Sequence, residues 1–303
     1  MSSTLAAELR KNLGPYGFVT GAEANIKHQQ DWSGLPRTVP LGVVYPRNTQ
    51  EVADVLKHCQ RLRTPVVTQG GLTGLAGGAH PIEQGVVLST EKMSGVSNVD
   101  PLMGTLTAWA GTPLQEIQNA AEAAGLYFPI DLGSRGSCTI GGNLATNAGG
   151  NKVIRYGMTR EHVLGLECVL PDGSVLSAMN HLLKNNTGYD LKQLLIGSEG
   201  TLGVITEVSL KVLPVPFAET TIVQECTEEA GLALVTGWAG QPLPVSATAW
   251  EAGRLHVRLS GASSAVDAAA ARLGGERLPE AVAASWWSAL RDQQLPYFSG
   301  NAP

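Results

Sequence analysis

An α+β fold is what this sequence predicts, and three observations predict it. Short apolar runs bounded by glycine, proline or asparagine recur along most of the chain, as strands do. Two amphipathic helix patterns lie among them, without regular strand–helix alternation. Composition then shifts near "LKVLPVPFAE" (Leu210–Glu219): glycine is concentrated between Gly70 and Gly203, alanine after Ala247, so this proline-containing stretch reads as a domain boundary.

In chain order, "LGVVYP" (Leu41–Pro46) is a short buried strand. Asn48, with Glu51 three residues later, opens a helix whose apolar face is Val52, Val55, Leu56 and Cys59. "TPVV" (Thr64–Val67) is the next strand. A second helix is expected from Thr112, with Pro113 in the first helical position and Gln115 completing a capping box. Leu114, Ile117, Ala121 and Ala124 share its face, and Gly125 stops it. "GVVLS", "GTLTAWAG", "LGLECVL" with its "PDG" turn, and "GVITEVSLKVL" run apolar or alternate, so all four read as strands. Beyond the boundary, "RLHVRLSG" alternates like a half-exposed strand, and "SAVDAAAARLGG" reads as a helix stopped by Gly274.

Composition narrows the function classes. The 303 residues are 43% hydrophobic and 16% charged, enough for one large domain or two smaller ones with real cores. A formal net charge of -5 without any Lys/Arg cluster gives no footprint for a phosphate backbone, so nucleic acid is not an expected partner. Cys59, Cys138, Cys168 and Cys226 lie far apart, without zinc or iron–sulfur spacing, and point to a reducing, cytoplasmic compartment with no metal site. The N-terminus has no cleavage-like pattern, and no apolar run approaches the roughly 20 residues of a membrane span. The histidines (His28, His58, His80, His162, His181, His256) show no metal-ligand spacing and read as surface or loop residues.

The most informative segment is "TQGGLTGLAGGAH" (Thr68–His80), with five glycines directly after the apolar "PVV". Glycine lets a ligand approach the bare backbone. A dinucleotide fingerprint needs its glycines to open a helix, whereas these run into "AHPIEQGVVLS"; a Walker loop needs a following Gly-Lys-Ser/Thr, which is missing. What remains is a nest of backbone amides suited to an anion and not tied to a helix. "DLGSRGSCTIGGNLATNAGG" (Asp131–Gly150) adds uncharged hydrogen-bonding side chains, and "IGSEGTLGVITEVSL" lies ahead of a strand. Each alone is compatible with turn chemistry. Three together, none basic, read as the envelope of a long polar ligand carrying phosphates.

These motifs, with "RYG" and "NNTGYDLKQLLIGSEGTLGVITEVSLKVLP", resemble the PCMH-type FAD-binding domain of the vanillyl-alcohol oxidase superfamily. The similar branch is that of D-2-hydroxyacid dehydrogenases and the FAD subunit of glycolate oxidase, over about Leu41–Pro216. The resemblance implies a two-subdomain FAD-binding fold at 41–216, after an N-terminal segment at 1–40. It implies that Gly70, Gly71, Leu72, Thr73, Gly74, Leu75, Gly78 and Ala79 cradle the FAD pyrophosphate. Pro129, Leu132, Gly133, Ser137, Ile140, Gly141, Gly142, Asn143, Thr146, Gly149 and Gly150 would line the flavin and ribityl chain, and Glu199, Gly200, Val204 and Ile205 the adenine end. Gln69 stands where the family often has Arg. Leu72 stands where covalently flavinylated relatives carry His, so the FAD is expected to be noncovalent. Gly74→Asp is expected to abolish its binding, and Gly173 of the "PDG" turn to tolerate change without loss of flavin.

From about Gly231 to Phe298, "RLHVRLSG", "ARLGGE" and "WWSALRDQQLPYF" resemble the small FAD-binding subunit of glycolate oxidase. The residues from 217 to 303 are therefore expected to form a short, truncated α+β cap with an unpaired sheet edge. The His-rich motif that supplies a base in relatives is missing, which leaves no catalytic base identified. Arg155 is a candidate for the substrate carboxylate, or a structural arginine paired with Glu161. Trp286 and Trp287 read as core or interface anchors. The implied function is FAD-dependent oxidation of a small D-2-hydroxy acid (glycolate, lactate or 2-hydroxyglutarate), with hydride passing from C2 to flavin N5. The alternatives are a non-catalytic FAD subunit needing a second flavoprotein and an iron–sulfur partner, or a truncated chain that only binds flavin. Self-association into a homo-oligomer is expected if no partner subunit covers the sheet edge.

Overall fold

The computed structural model describes residues 3–14 and 16–299. Helix α1 (Ser3–Leu13) leads into β1 (Phe18–Thr20), followed by β2 (Gly42–Val44), α2 (Thr49–Arg61), β3 (Val66–Gln69) and β4 (Val86–Ser89). Next come β5 (Val96–Asp100), β6 (Thr105–Trp109), α3 (Leu114–Ala123), β7 (Leu126–Tyr127) and the short helices α4 (Ile140–Ala145) and α5 (Val153–Tyr156). Strands β8 (Val163–Val169) and β9 (Val175–Ser177), helix α6 (Lys192–Leu195) and strand β10 (Val204–Lys211) follow. The last stretch holds β11 (Leu213–Pro214), β12 (Ala218–Glu225), α7 (Glu228–Trp238), β13 (Val245–Glu251), β14 (Arg254–Gly261), α8 (Ser263–Leu273), β15 (Glu276–Arg277) and α9 (Glu280–Arg291). No helix among the described residues is long and apolar enough to cross a membrane.

The chain divides into two compact units. The first comprises Met1–Phe128, Ser134–Ala148 and His162–Leu213; the second comprises Pro129–Gly133, Gly149–Glu161 and Pro214–Pro303. In the first unit, one sheet has the order β1-β2-β4-β3, with β4 parallel to both β2 and β3. The other has the order β5-β6-β10-β8-β9 and is antiparallel throughout. Helix α2 is the crossover between β2 and β3, which run parallel on either side of β4, a single local exception to the otherwise non-alternating α+β pattern.

Helix α2 forms as its sequence predicts. The Asn48 side chain accepts from the Glu51 N–H, and the Glu51 carboxylate accepts from the Arg47 N–H, so two otherwise orphaned donors are satisfied. Val52, Val55, Leu56 and Cys59 are all buried, in one core with Leu5, Leu9, Val44, Val86, Leu88, Val169 and Val204. Each such side chain contributes about 2 kcal/mol when fully removed from water. Arg63 closes the turn after α2 with a left-handed φ of 50°. The start of α3 differs from expectation: Pro113 is the N-cap and no side chain caps it. Thr112 donates instead to Trp109 O and accepts from Gly95 N–H, and Gln115 bonds Asn119, so the capping box is not formed.

The second unit is built on one antiparallel sheet, β13-β14-β12-β15. Strand β14 is not half-exposed: Leu255 to Ser260 are all buried, because β12 and β13 flank it and both faces are covered. Leu255, Val257 and Leu259 pack with Val266, Ala269 and Ala270 of α8 on one face. Trp287 of α9 is buried with Ala247 and Ala283 in a second cluster, and its Nε1 donates to Thr221 Oγ1 at 2.9 Å, an anchor as expected. Strand β13 is one edge of the sheet.

Candidate cofactor site

Strand β3 ends at Gln69, whose side chain is fully buried although amides rarely are. Its Nε2 donates to Ala79 O at 2.9 Å and to His28 O at 3.3 Å, while Oε1 meets His28 Nδ1 at 2.8 Å. One side chain thus clasps both ends of the glycine loop. Between those ends the chain is irregular, and the N–H groups from Gly70 to Ala79 donate to no other described residue. Buried or half-buried amides are normally paired. Gly70 to Thr73, Gly77 and Ala79 are half-buried and the others exposed, and successive unpaired N–H groups of this kind are what an anion-binding loop offers.

The loop lies against the start of α4. A Cβ on Gly70 would stand 2.4 Å from Thr139 Oγ1, and one on Gly71 would stand 2.0 Å from Ser137 O. Thr139 is the N-cap of α4, accepting from Gly142 N–H at 3.4 Å. Gly141 in turn packs on Ala110, 2.6 Å from where its Cβ would be. The third segment also reaches the loop: a Cβ on Gly78 would meet Glu199 Oε2 at 3.0 Å, and one on Gly200 would meet Thr68 at 3.8 Å. Glu199 N–H donates to Ala145 O, so the third segment is also tied to the end of α4. The glycine segments that sequence alone could only count therefore converge within the first unit.

Backbone conformation marks the same place. Leu72, Asn147 and Glu199 have φ of 60°, 47° and 52°, left-handed values in residues other than glycine. They are three of the six such residues in the described chain, one in each glycine segment. Left-handed backbone in a leucine is strained and persists where its surroundings over-determine it, commonly at binding sites.

The other expected site residues divide by unit. Ile140 and Asn143 are buried in α4, Ser137 and Thr146 are exposed at its two ends, and Thr146 Oγ1 donates back to Gly142 O. Thr73 is half-buried and Leu75 is exposed. Val204 and Ile205 are buried on β10 and pair with Val169 and Cys168 of β8, with Val204 in the core around α2, so their side chains are taken up by packing. Pro129, Leu132, Gly133, Gly149 and Gly150 belong to the second unit. There Gly150, at φ 131°, lies so close to the chain at Asp131 that a Cβ would stand 2.2 Å from Asp131 O. Gly133 approaches Arg291 O in the same way, at 2.8 Å, and Arg291 Nη1 stands 3.6 Å from the Asp131 carboxylate.

Two expectations, on the histidines and on Gly173, need correction, and the one on Gly74 is narrowed. His28, His162 and His256 are buried rather than on the surface, because each is held in a packed segment: a 3-10 turn, the 3-10 turn that leads into β8 and the centre of β14. Gly74 is open, with nothing within 4 Å of a Cβ, so any constraint there is electrostatic and not steric. Gly173 is confined, with φ 79° and a Cβ position 2.4 Å from Lys57 Cγ and 2.7 Å from Ala53 O. Arg155 lies exposed on α5, with its guanidinium 5.7 Å from the Tyr156 ring. No group of three or more His, Cys, Asp or Glu among the described residues is placed to hold a metal ion. Sequence reasoning missed the Gln69–His28 clasp, for which a sequence separation of 41 leaves no local signal. It also missed α4, whose two glycines mask a helix.

Residues 40–178 match a family model described as an FAD binding domain. The bovine mitochondrial D-2-hydroxyglutarate dehydrogenase is 50% identical over 202 residues, 67% of this chain and 37% of that protein. D-2-hydroxyglutarate dehydrogenase of Xanthomonas citri pv. viticola is 44% identical over 194 residues, 64% of this chain and 41% of that one. A putative mitochondrial D-lactate dehydrogenase of Schizosaccharomyces pombe is 43% identical over 180 residues, 59% of this chain and 34% of the relative. The chain thus spans well under half the length of these relatives. Among solved structures, an alkyldihydroxyacetonephosphate synthase superposes with a TM-score of 0.80 at 20% identity, covering 97% of this chain and 64% of that one, a likeness of fold.

Proposed function

We propose that this chain, whose residues 40–178 match an FAD binding domain, carries a PCMH-type flavin domain and serves the oxidation of a small D-2-hydroxy acid. FAD is its cofactor. The run of unpaired amides from Gly70 to Ala79, pressed against the start of α4, is the observation that carries the reading. It fits a diphosphate: many N–H donors, no fixed cation and room for close approach. Bound FAD would supply the two-electron acceptor for a hydride leaving C2 of the substrate.

The chain's own residues do the holding. Gln69 and His28 fix the loop, Gly70 and Gly71 permit its contact with α4, and Thr139 and Asn143 present polar groups that add no charge. Leu72 has no nucleophile to offer the flavin, so the cofactor is bound noncovalently. 2-Hydroxyglutarate is the substrate in the names of several relatives, lactate in another; glycolate remains a third member of the same chemical class. The free cysteines Cys59, Cys138, Cys168 and Cys226 suit a reducing, cytoplasmic compartment, although several relatives are named mitochondrial.

A second reading is a flavin-holding subunit that turns over only with a second flavoprotein and an iron–sulfur partner. It is favoured by the extent of similarity to the dehydrogenases, which leaves about a third of this chain outside the match. Anaerobic addition of D-2-hydroxyglutarate, D-lactate and glycolate to the purified holoprotein separates the two. Bleaching of the flavin's visible absorbance supports the enzyme, whereas an oxidised spectrum with all three supports the subunit. Acid should release the flavin into solution; colour retained on the precipitate would refute noncovalent binding.

A further inference from the structure

The amide of Gln69 fixes the tautomer of His28. Its Nε2 lies 2.9 Å from Ala79 O and 3.3 Å from His28 O, and these carbonyls can only accept. The nitrogen is therefore held toward them and the oxygen toward His28 Nδ1, 2.8 Å away. That oxygen can only accept as well, so the ring donates from Nδ1. Both side chains are sealed, Gln69 at 0% and His28 at 1% exposure.

The proton on Nδ1 decides what the rest of the ring can tolerate. In the neutral imidazole Nε2 is then a lone pair, and it is buried without a hydrogen-bond partner. A second proton there would bring charge and an N–H without an acceptor into packed surroundings, which costs far more than an idle lone pair. The Tyr45 ring packs against the imidazole in a T-shaped contact, centroids 5.5 Å apart, and brings no charge. Lys27, on the same turn, opposes the second proton, while Glu91, from the segment after β4, favours it; these two pair with each other. Burial is the largest influence and holds the imidazole below its ordinary value of 6.5.

We propose that His28 is a positioning residue for the cofactor's diphosphate, acting through Gln69, and that it works only as the neutral ring with its proton on Nδ1. Once doubly protonated, the ring leaves its sealed place. Gln69 then loses the donor that its buried oxygen meets, and the tie joining residues 28, 69 and 79 opens. The loop amides from Gly70 to Ala79 are free to spread, and binding must order them again. Acid therefore loosens FAD: retention is complete above about pH 6.5 and falls below it, because the folded-state value is the lower one. The inference rests on the glycine loop holding the diphosphate, as proposed above.

The holoprotein is diluted in series at about pH 7.5, 6.5 and 5.5, and released FAD is read by its fluorescence, giving a dissociation constant at each pH. Wild type should hold FAD at least about tenfold more weakly at the lowest pH than at the highest. The diphosphate keeps its charge throughout this range, so the change belongs to the protein. His28→Asn places an amide N–H where Nδ1 stands and cannot be protonated; it should bind close to wild type at neutral pH and show no acid loss. His28→Leu leaves the Gln69 oxygen unpaired and should bind about 10- to 100-fold more weakly at every pH. A purely structural histidine would shift the melting temperature and leave the pH profile in place. Acid loss that persists in His28→Asn overturns the proposal even if His28→Leu fails to fold. Binding in His28→Asn no better than in His28→Leu overturns it too, and so does wild-type affinity that is flat or rises toward acid. A wild-type protein that holds no FAD at any pH would refute the function proposed above together with this inference, whereas tight binding without the His28 effect removes this inference alone.

Discussion

Gly71→Ala tests whether the glycine loop is held by contact or only by composition. The new Cβ would lie 2.0 Å from Ser137 O, 2.7 Å from Cys138 Cα and 2.8 Å from Ser137 C, all main-chain atoms that cannot rotate away. Relief requires the loop and the start of α4 to separate by more than an ångström. Forcing one methyl into packed structure costs about 1–3 kcal/mol when side chains can adjust, and more against backbone. Taking about 3 kcal/mol, and about 2–4 °C per kcal/mol for a domain of this size, Tm should fall by about 6–12 °C. The flavin-to-protein ratio after desalting should collapse with it. Gly74 is the internal control: with nothing within 4 Å of its Cβ, Gly74→Ala should match wild type in both measurements. Gly74→Asp should leave apo stability alone yet weaken FAD binding. A carboxylate about 4 Å from a phosphate costs about 4 kcal/mol at near-surface screening, roughly a thousandfold in affinity. Full flavin content and unchanged Tm in Gly71→Ala would refute the convergence of the glycine segments.

Burial pushes the His28 and His256 imidazoles below the ordinary histidine value of 6.5, so the folded chain keeps them neutral where the unfolded chain takes up protons. Stability is then complete above about pH 6.5 and declines as the pH falls from there toward the folded-state values; an unchanged acid slope in a His28→Gln/His256→Gln variant would refute this. Gly173→Ala should destabilise the protein by at least about 1 kcal/mol, through its left-handed φ and the crowding by Lys57 and Ala53, while the folded fraction keeps its flavin; a denaturant melt coinciding with wild type would contradict it. Burial raises the Cys59 thiol to about 12 and the Cys168 thiol to about 11, so neither should react with a thiol reagent at neutral pH before unfolding. Native labelling of either, read by peptide mass, would show that these strands and helices open.

What was legible in the sequence was local. Asn48 and Glu51 marked the start of α2, the apolar spacing from Val52 to Cys59 gave its buried face, and Gly125 and Gly274 marked two helix ends with φ of 72° and 69°. Thr112 misled because a capping threonine and one that braces a loop carry the same hydroxyl. Only the tertiary fold brings Gly95 within its reach. β14 misled for a related reason. Alternation reports that the two faces of a strand differ, as they do here: Leu255, Val257 and Leu259 against His256, Arg258 and Ser260. It does not report whether the polar face meets water or, as in this chain, tryptophan and serine.

The glycine segments show where the two kinds of information join. Counting glycines marked segments that the fold brings together but could not rank their members, because a glycine can be present for a close approach, for a left-handed turn or for neither. Gly70 and Gly71 belong to the first kind, Gly77 to both, Gly200 to the second, and Gly74 to neither. Leu72 takes a left-handed conformation that glycine would adopt more easily, between Gly71, fixed against Ser137, and the end of the loop, fixed through Gln69 and Ala79. With both ends held by partners distant in sequence, the loop between them has few conformations left. Its amides are thus aimed before any ligand arrives, which lowers the ordering entropy that binding must overcome. That is why the substitution to watch is at a pinned glycine and not at the most exposed one.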